Sequence, residues 1–282
     1  MAECSVCFRH CHIAEGQLGF CGGRTARNDK VEAYNYGRIT SLALDPIEKK
    51  PLARFFSGSM ILSVGSFGCN LRCPFCQNHE ISWSEQAKRF AETAEMVSPG
   101  ELAELAQRTR QRGNIGVAFT YNEPLIGYEF VRDTARLTKA RGLKNVLVTN
   151  GTAELTVLEE LRPYIDAMNV DLKGFTDRYY SEVLGGDRRQ VLAFIEAAAA
   201  FCHVELTTLI VPGENDSEEE MRELSQWVSR LKNPDGEEVP LHISRFFPRF
   251  HMQDRRATGI GTVYRLAEVA REALKYVYTG NC

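Results

Sequence analysis

From residue 61 to the end of the chain, short apolar runs alternate with stretches of helical periodicity, and this alternation constrains the fold more than any other feature. ILSVGSF (61–67), IGVAFT (115–120), KNVLVT (144–149), AMNVDL (167–172), HVELTTLIV (203–211) and VPLHISRFF (239–247) have the length of buried strands, and YVY (276–278) adds a short last one. Between them fall SPGELAELAQRTRQRG (98–113), LIGYEFVRDTARLTKARG (125–142), a helix near 153–161, AFIEAAAAF (193–201), SEEEMRELSQWVSRL (217–231) and a helix around 263–274. Ser98 and Glu101 spell a capping box with Pro99 at the first helical position, and Ser217 with Glu220 spells a second box. Strands spaced by roughly 25–40 residues with helices between them are parallel βα units, and about six units make a partial barrel rather than a closed eightfold one. The expected class is therefore α/β: a partial (β/α)6 TIM-like barrel over residues 61–282. Residues 22–60 lack helical periodicity and read as short strands and loops. With the cysteine-rich start they form an expected cap over residues 1–60.

Seven of the nine cysteines fall within the first 76 residues, in two groups. Cys4, Cys7, Cys11 and Cys21 form a quartet; Cys69, Cys73 and Cys76 form a triplet in SFGCNLRCPFCQN (66–78), a loop that leaves the C-terminal end of the first barrel strand. An odd count, short spacings and a chain of 282 residues fit metal binding better than disulfides. Four thiolates close a zinc site or fill a [4Fe–4S] cube, whereas three leave one iron open to a ligand. A zinc knuckle completed by His79 or a distant group is the plainer alternative for the triplet. For the quartet, zinc and an auxiliary [4Fe–4S] cluster stand level, with His10 and His12 read as surface groups.

Bulk properties narrow the function. A net charge of −3 provides no broad basic field, so no nucleic-acid partner is expected. No apolar run approaches the roughly 18 residues of a membrane span, and MAECSVCFRHCH lacks the apolar core of a signal peptide. No membrane association and a cytoplasmic location are expected. Polar motifs follow the strands: YNEP (121–124), TNG (149–151), DLKG (171–174) and VPGEND (211–216). In βα folds such positions carry function. Asp171 and Lys173, two apart on an extended segment, share a face suited to a zwitterionic ligand, or simply pair with each other. Asn122, Glu123 and Asn150 join them as candidate ligand-binding residues.

The triplet resembles the cluster motif of radical S-adenosylmethionine enzymes. YNEP stands where that superfamily has GGEP, with Glu123 and Pro124 matching. DLK at 171–173 resembles the pyruvate formate-lyase activating enzyme branch, in which the lysine contacts S-adenosylmethionine. That branch also has a cofactor-reaching histidine near its last strand; here SRFFPRFH (244–251) places Phe247 near that position and His251 a few residues later. More broadly, CSVCFRHC, GFCGGR, DPIEKKPL (45–52), DAMNVDLKGF (166–175), TTLIVPGEND (207–216) and YVYTGN (276–281) resemble the radical enzyme of the AmmeMemoRadiSam system.

The resemblance implies a [4Fe–4S] cluster on Cys69, Cys73 and Cys76 that binds S-adenosylmethionine and reductively cleaves it to a 5′-deoxyadenosyl radical, which abstracts hydrogen from a substrate. A protein or peptide is one such substrate class, as in glycyl-radical activating enzymes. A flavodoxin or ferredoxin is the implied electron donor, and Memo-like and AMMECR-type proteins are the implied companions. The contrasting reading is a non-enzymatic metal-binding scaffold, which has no use for an open coordination position.

Overall fold

The computed structural model describes residues 1–282, with nothing stated of the side chains at positions 88 and 91. Its centre is a sheet of eight strands: β1 (Ser41–Pro46), β2 (Met60–Gly65), β3 (Asn114–Phe119), β4 (Lys144–Thr149), β5 (Ala167–Asp171), β6 (His203–Ile210), β7 (Leu241–Arg245) and β8 (Val277–Gly280), neighbouring in that order. Every neighbouring pair is parallel except β1 and β2, which are antiparallel. Helices α1 (Pro99–Arg108), α2 (Tyr128–Ala140), α3 (Leu155–Leu161), α4 (Arg188–Ala199), α5 (Glu218–Val228) and α6 (Ile260–Arg271) carry the six parallel crossovers from β2 to β8. This is the expected α/β architecture.

Period-two alternation divides each strand between two apolar environments. Leu62, Val64, Val117, Phe119, Leu147, Met168 and Val170 belong to the large core that includes the buried faces of the helices. Ile61, Ala118, Val146 and Ala167 belong to a second core on the other face. That second core is closed by Ile47 and Leu52, from the loop joining β1 to β2. The same loop presents the backbone N–H groups of Ala53 and Arg54 to Glu205 on β6, and the Arg54 guanidinium lies 3.8 Å from the Tyr276 ring centre, just before β8. In a flat sheet, strands 4.7–4.9 Å apart would put β1 and β8 on the order of 34 Å from each other. One short loop reaches both, so the sheet curves around it. It is an open barrel plugged at its N-terminal end.

The first capping box forms in full, with Ser98 accepting from Glu101 N–H and Glu101 accepting from Ser98 N–H. The second forms only in half. Ser217 accepts from Glu220 N–H, but the Glu220 carboxylate turns inward to accept the N–H of Phe175. Two helical segments just after the triplet, His79–Ser82 and Glu85–Thr93, and the π-helical turn Tyr179–Leu184 add to the expected elements. β1 lies inside the segment read as cap and yet hydrogen-bonds as an edge strand of the main sheet. Among the described residues no helix is long and apolar enough to cross a membrane.

Candidate functional site

The C-terminal ends of β2 to β7 surround a cavity of about 280 Å³, near the lower bound of about 300 Å³ typical of small-molecule sites. Cys69, Cys73 and Cys76 line it together with Asn122, Glu123, Thr149, Asn150, Asp171, Lys173, Ser244 and Asn281. All eight triplet and strand-end candidates read from the sequence thus meet in one place. Phe247 and His251 are not among the lining residues. Phe247 is exposed, and His251 packs against Trp83 and Phe250 while its N–H bonds to the Pro74 carbonyl.

The triplet loop is fixed by backbone geometry. Gly68 has φ +94°, and a Cβ there would come within 2.7 Å of the Cys21 carbonyl oxygen, so the turn requires glycine. Asn122 staples the loop to the end of β3: its amide donates to the carbonyls of Phe67 (3.2 Å) and Gly68 (3.1 Å), and its oxygen accepts from Ser66 N–H (3.0 Å). Asn122 is therefore a brace whose side chain is already occupied. Asn150 has a related role, donating to Asn70 Oδ1 (3.0 Å) and toward Cys69 Sγ (3.7 Å).

Tyr121 has φ +76°, in the region that ordinarily calls for glycine. This is the first position of the motif, where the resemblance has glycine. The ring fits because Gly65 opposite it has no Cβ, which would lie 2.8 Å from the tyrosine Cδ2. The hydroxyl donates to Asp45 Oδ2 (2.8 Å), which also receives the buried Lys50 ammonium at 3.0 Å.

Glu123 is buried and accepts from Leu125 N–H (3.0 Å), Thr149 Oγ1 (2.7 Å) and Asn150 N–H (2.8 Å). Burial nevertheless pushes its carboxyl up to about 7, and the nearby Asp171 charge adds to the effect. Lys173 Nζ meets Asp171 Oδ2 at 2.8 Å. Burial disfavours the ammonium, but Asp171 and the Cys73 sulfur outweigh it and hold the lysine charged. Its backbone is fixed on both sides, the N–H by Tyr180 Oη (3.0 Å) and the carbonyl by Asn215 Nδ2 (2.7 Å).

The three thiols are raised by burial, Cys73 to about 11, and Cys69 and Cys73 are raised further by other thiols of the triplet. Leu71 N–H approaches Cys69 Sγ at 3.4 Å, while Lys173 favours the anions of Cys73 and Cys76. Three such thiols ionise together only with positive charge between them, which ligated metal supplies. The three cysteines line one cavity, and among the described residues no three His, Cys, Asp or Glu side chains are set to share one ion. A cluster in which each iron takes its own thiolate suits that arrangement better than a lone ion does. The donor set fits a [4Fe–4S] core with one iron left to a ligand from the cavity.

Cys4, Cys7, Cys11 and Cys21 line a second, small, mostly apolar cavity with Arg9 and Arg24. His10 and His12 are exposed, and His10 faces Glu154. Sequence reasoning missed Asn70, Tyr121, Tyr180 and Asn215 as contributors. Asn70 lies within the triplet loop and Asn215 within the strand-end motif VPGEND, but neither stood out as an individual candidate.

Comparison with known proteins agrees with this geometry. The family model described as Radical SAM superfamily matches residues 63–225. The uncharacterized protein MJ0808 of Methanocaldococcus jannaschii is 39% identical over 282 residues, covering 99% of this chain and 81% of that protein. The pyruvate formate-lyase 1-activating enzyme of Escherichia coli K12 is 26% identical over 179 residues, 62% of this chain and 71% of the enzyme. Among solved structures, Streptococcus suis SuiB bound to precursor peptide SuiA superposes with a TM-score of 0.58 at 14% identity, over 76% of this chain and 47% of that one. The last is a likeness of fold.

Proposed function

Because the chain belongs to the radical SAM superfamily, we propose that Cys69, Cys73 and Cys76 hold a [4Fe–4S] cluster at which S-adenosylmethionine is bound and reductively cleaved. The observation that carries this reading is the meeting of three thiols and the Asp171–Lys173 pair on the wall of one cavity at the strand ends. When bound, the cluster would supply one low-potential electron to the sulfonium, whose C–S bond would break to leave methionine and an adenosyl radical able to take hydrogen from a substrate.

The protein's own groups do the holding and orienting. The Lys173 ammonium offers a charge-assisted bond to the carboxylate of the methionine moiety. It is pre-aimed by Tyr180 and Asn215, which fix its backbone. Glu123 and Asp171 line the same cavity and offer carboxyl groups to the methionine ammonium. Asn122 and Asn150 hold the triplet loop against β3 and β4, so the thiols keep their places while the cavity fills.

For the wider reaction we infer an activating-enzyme-like role in the AmmeMemoRadiSam system. Its substrate class is a protein or peptide Cα–H, its electron donor is of the flavodoxin or ferredoxin type, and Memo-like and AMMECR-type proteins are its companions. Support comes from the pyruvate formate-lyase activating relative and from the motifs spread along the chain. The quartet Cys4, Cys7, Cys11 and Cys21 is proposed as a second metal site within the N-terminal cap of residues 1–60, ahead of the barrel region 61–282.

The test is anaerobic reconstitution followed by electron paramagnetic resonance of the dithionite-reduced protein. Addition of S-adenosylmethionine should change the spectrum of the triplet's cluster in wild type, and Lys173→Ala should need about tenfold more ligand for the same change. A spectrum indifferent to S-adenosylmethionine in wild type would leave a metal-binding scaffold as the better account.

A further inference from the structure

The two cysteine groups are close neighbours joined by direct bonds. Cys69 N–H donates to the Cys21 carbonyl at 3.0 Å, across the contact that Gly68 makes possible. The Asn70 amide group donates to Thr152 Oγ1 at 2.7 Å, and the Asn70 oxygen accepts from Asn150, which also points at Cys69 Sγ.

Two arginines lie in the same region. Arg9 and Arg72 each place the guanidinium carbon over the Phe20 ring, at 3.6 and 3.7 Å from its centre. At those distances they cannot share a face, so they sandwich the ring. Arg9 donates to the carbonyls of Asn70 and Gly185; Arg72 donates to those of Cys69, Leu71 and Phe20. Among the described residues neither has a carboxylate partner. Arg24, the other cation at the quartet, is by contrast neutralised by Glu129 at 2.6 Å. Two half-buried like charges facing one ring are unfavourable unless anions compensate them. Arg9 lines the quartet's cavity and donates to the Asn70 carbonyl in the triplet loop, while Arg72 donates to the Cys69 carbonyl and lines a neighbouring cavity with Cys21. Both arginines therefore serve both groups.

We propose that the quartet holds a second [4Fe–4S] cluster, electrostatically coupled to the first through Arg9 and Arg72. This rests on the reading of the triplet given above. Four thiolates with no open position suit a centre that only carries charge.

The experiment uses the full chain in which Cys69, Cys73 and Cys76 are all replaced by alanine, reconstituted anaerobically with iron and sulfide. It should retain about four irons and four sulfides per chain and give a cluster signal on reduction. One zinc per chain, or no metal in a chain that remains folded by circular dichroism, would overturn the proposal. In the otherwise intact chain, Arg9→Gln removes a positive charge from both centres, so a redox titration should show both midpoints moving to more negative potential. Movement of only one, or of neither, would overturn the coupling. If wild type fails to cleave S-adenosylmethionine while the triple variant still holds four irons, the reading of the triplet has failed and the second cluster stands.

Discussion

Two buried glutamates on the same sheet have opposite fates. Glu123, at the C-terminal end of β3, accepts three hydrogen bonds from neutral donors and is pushed up to about 7 by burial. Glu205, near the N-terminal end of β6, is as deeply buried, but two backbone N–H groups and the rings of His203 and His242 pull it down to about 2. Burial opposes both charges, and only Glu205 has partners that can carry positive charge. It clasps the plug loop under the barrel and is complete as it stands. Among the described residues Glu123 has no cation hydrogen-bonded to it, and it lines a cavity. One end of the barrel is finished for stability and the other is left electrostatically incomplete for a ligand, the division of labour expected of βα folds.

The comparison can be broken most forcefully at Glu205. A shift from the ordinary 4.5 to about 2 corresponds to about 3 kcal/mol at neutral pH. Glu205→Gln should lose about that much in urea unfolding, while S-adenosylmethionine cleavage per folded chain stays within about twofold of wild type. An equal loss of cleavage would mean that the two ends are not separable.

The pH dependence of stability sharpens the contrast, because the two carboxylates act with opposite sign. Between about 2 and 4.5 the unfolded chain holds the extra proton, at Glu205, so stability rises with pH. Between 4.5 and about 7 the folded chain holds it, at Glu123, so that group's contribution falls as pH rises. Denaturation of the metal-free chain across this range should show the upper decline flattened in Glu123→Gln and the lower rise flattened in Glu205→Gln.

A smaller effect is expected at Lys173, where replacement by alanine should raise the dissociation constant for S-adenosylmethionine about tenfold, roughly 1.4 kcal/mol. Equilibrium dialysis against the reconstituted protein measures it. Unchanged affinity would remove Lys173 from the ligand site and leave it as the partner of Asp171 alone. Least of all, Tyr121→Phe should cost about 1 kcal/mol in thermal unfolding, because Asp45 keeps its two lysines.

Much of this was legible in the chain. The parallel units followed from apolar runs of strand length separated by capped helices, and the strand ends announced themselves as YNEP, TNG and DLKG. What stayed hidden depends on distant parts meeting. DPIEKKPL carries no periodicity that says β1 will run antiparallel along the sheet edge and send Ile47 and Leu52 into the barrel. Glu220 looked like half of a capping box, and only the fold brings Phe175 N–H within its reach. Asn122 read as a ligand group because it follows a strand, and only the fold shows its side chain bonded to Ser66, Phe67 and Gly68 at the start of the triplet loop. Tyr121 departed from a glycine motif without a reason that sequence could supply. The reason is the missing Cβ of Gly65, 56 positions earlier in the chain.

The measurement closest to the central claim is 5′-deoxyadenosine formed from S-adenosylmethionine and dithionite by the anaerobically reconstituted wild-type chain, beside the variant with Cys69, Cys73 and Cys76 replaced by alanine. The account expects product from wild type and none above the enzyme-free background from the variant. No product from an iron-loaded wild type, or equal product from both, would contradict it.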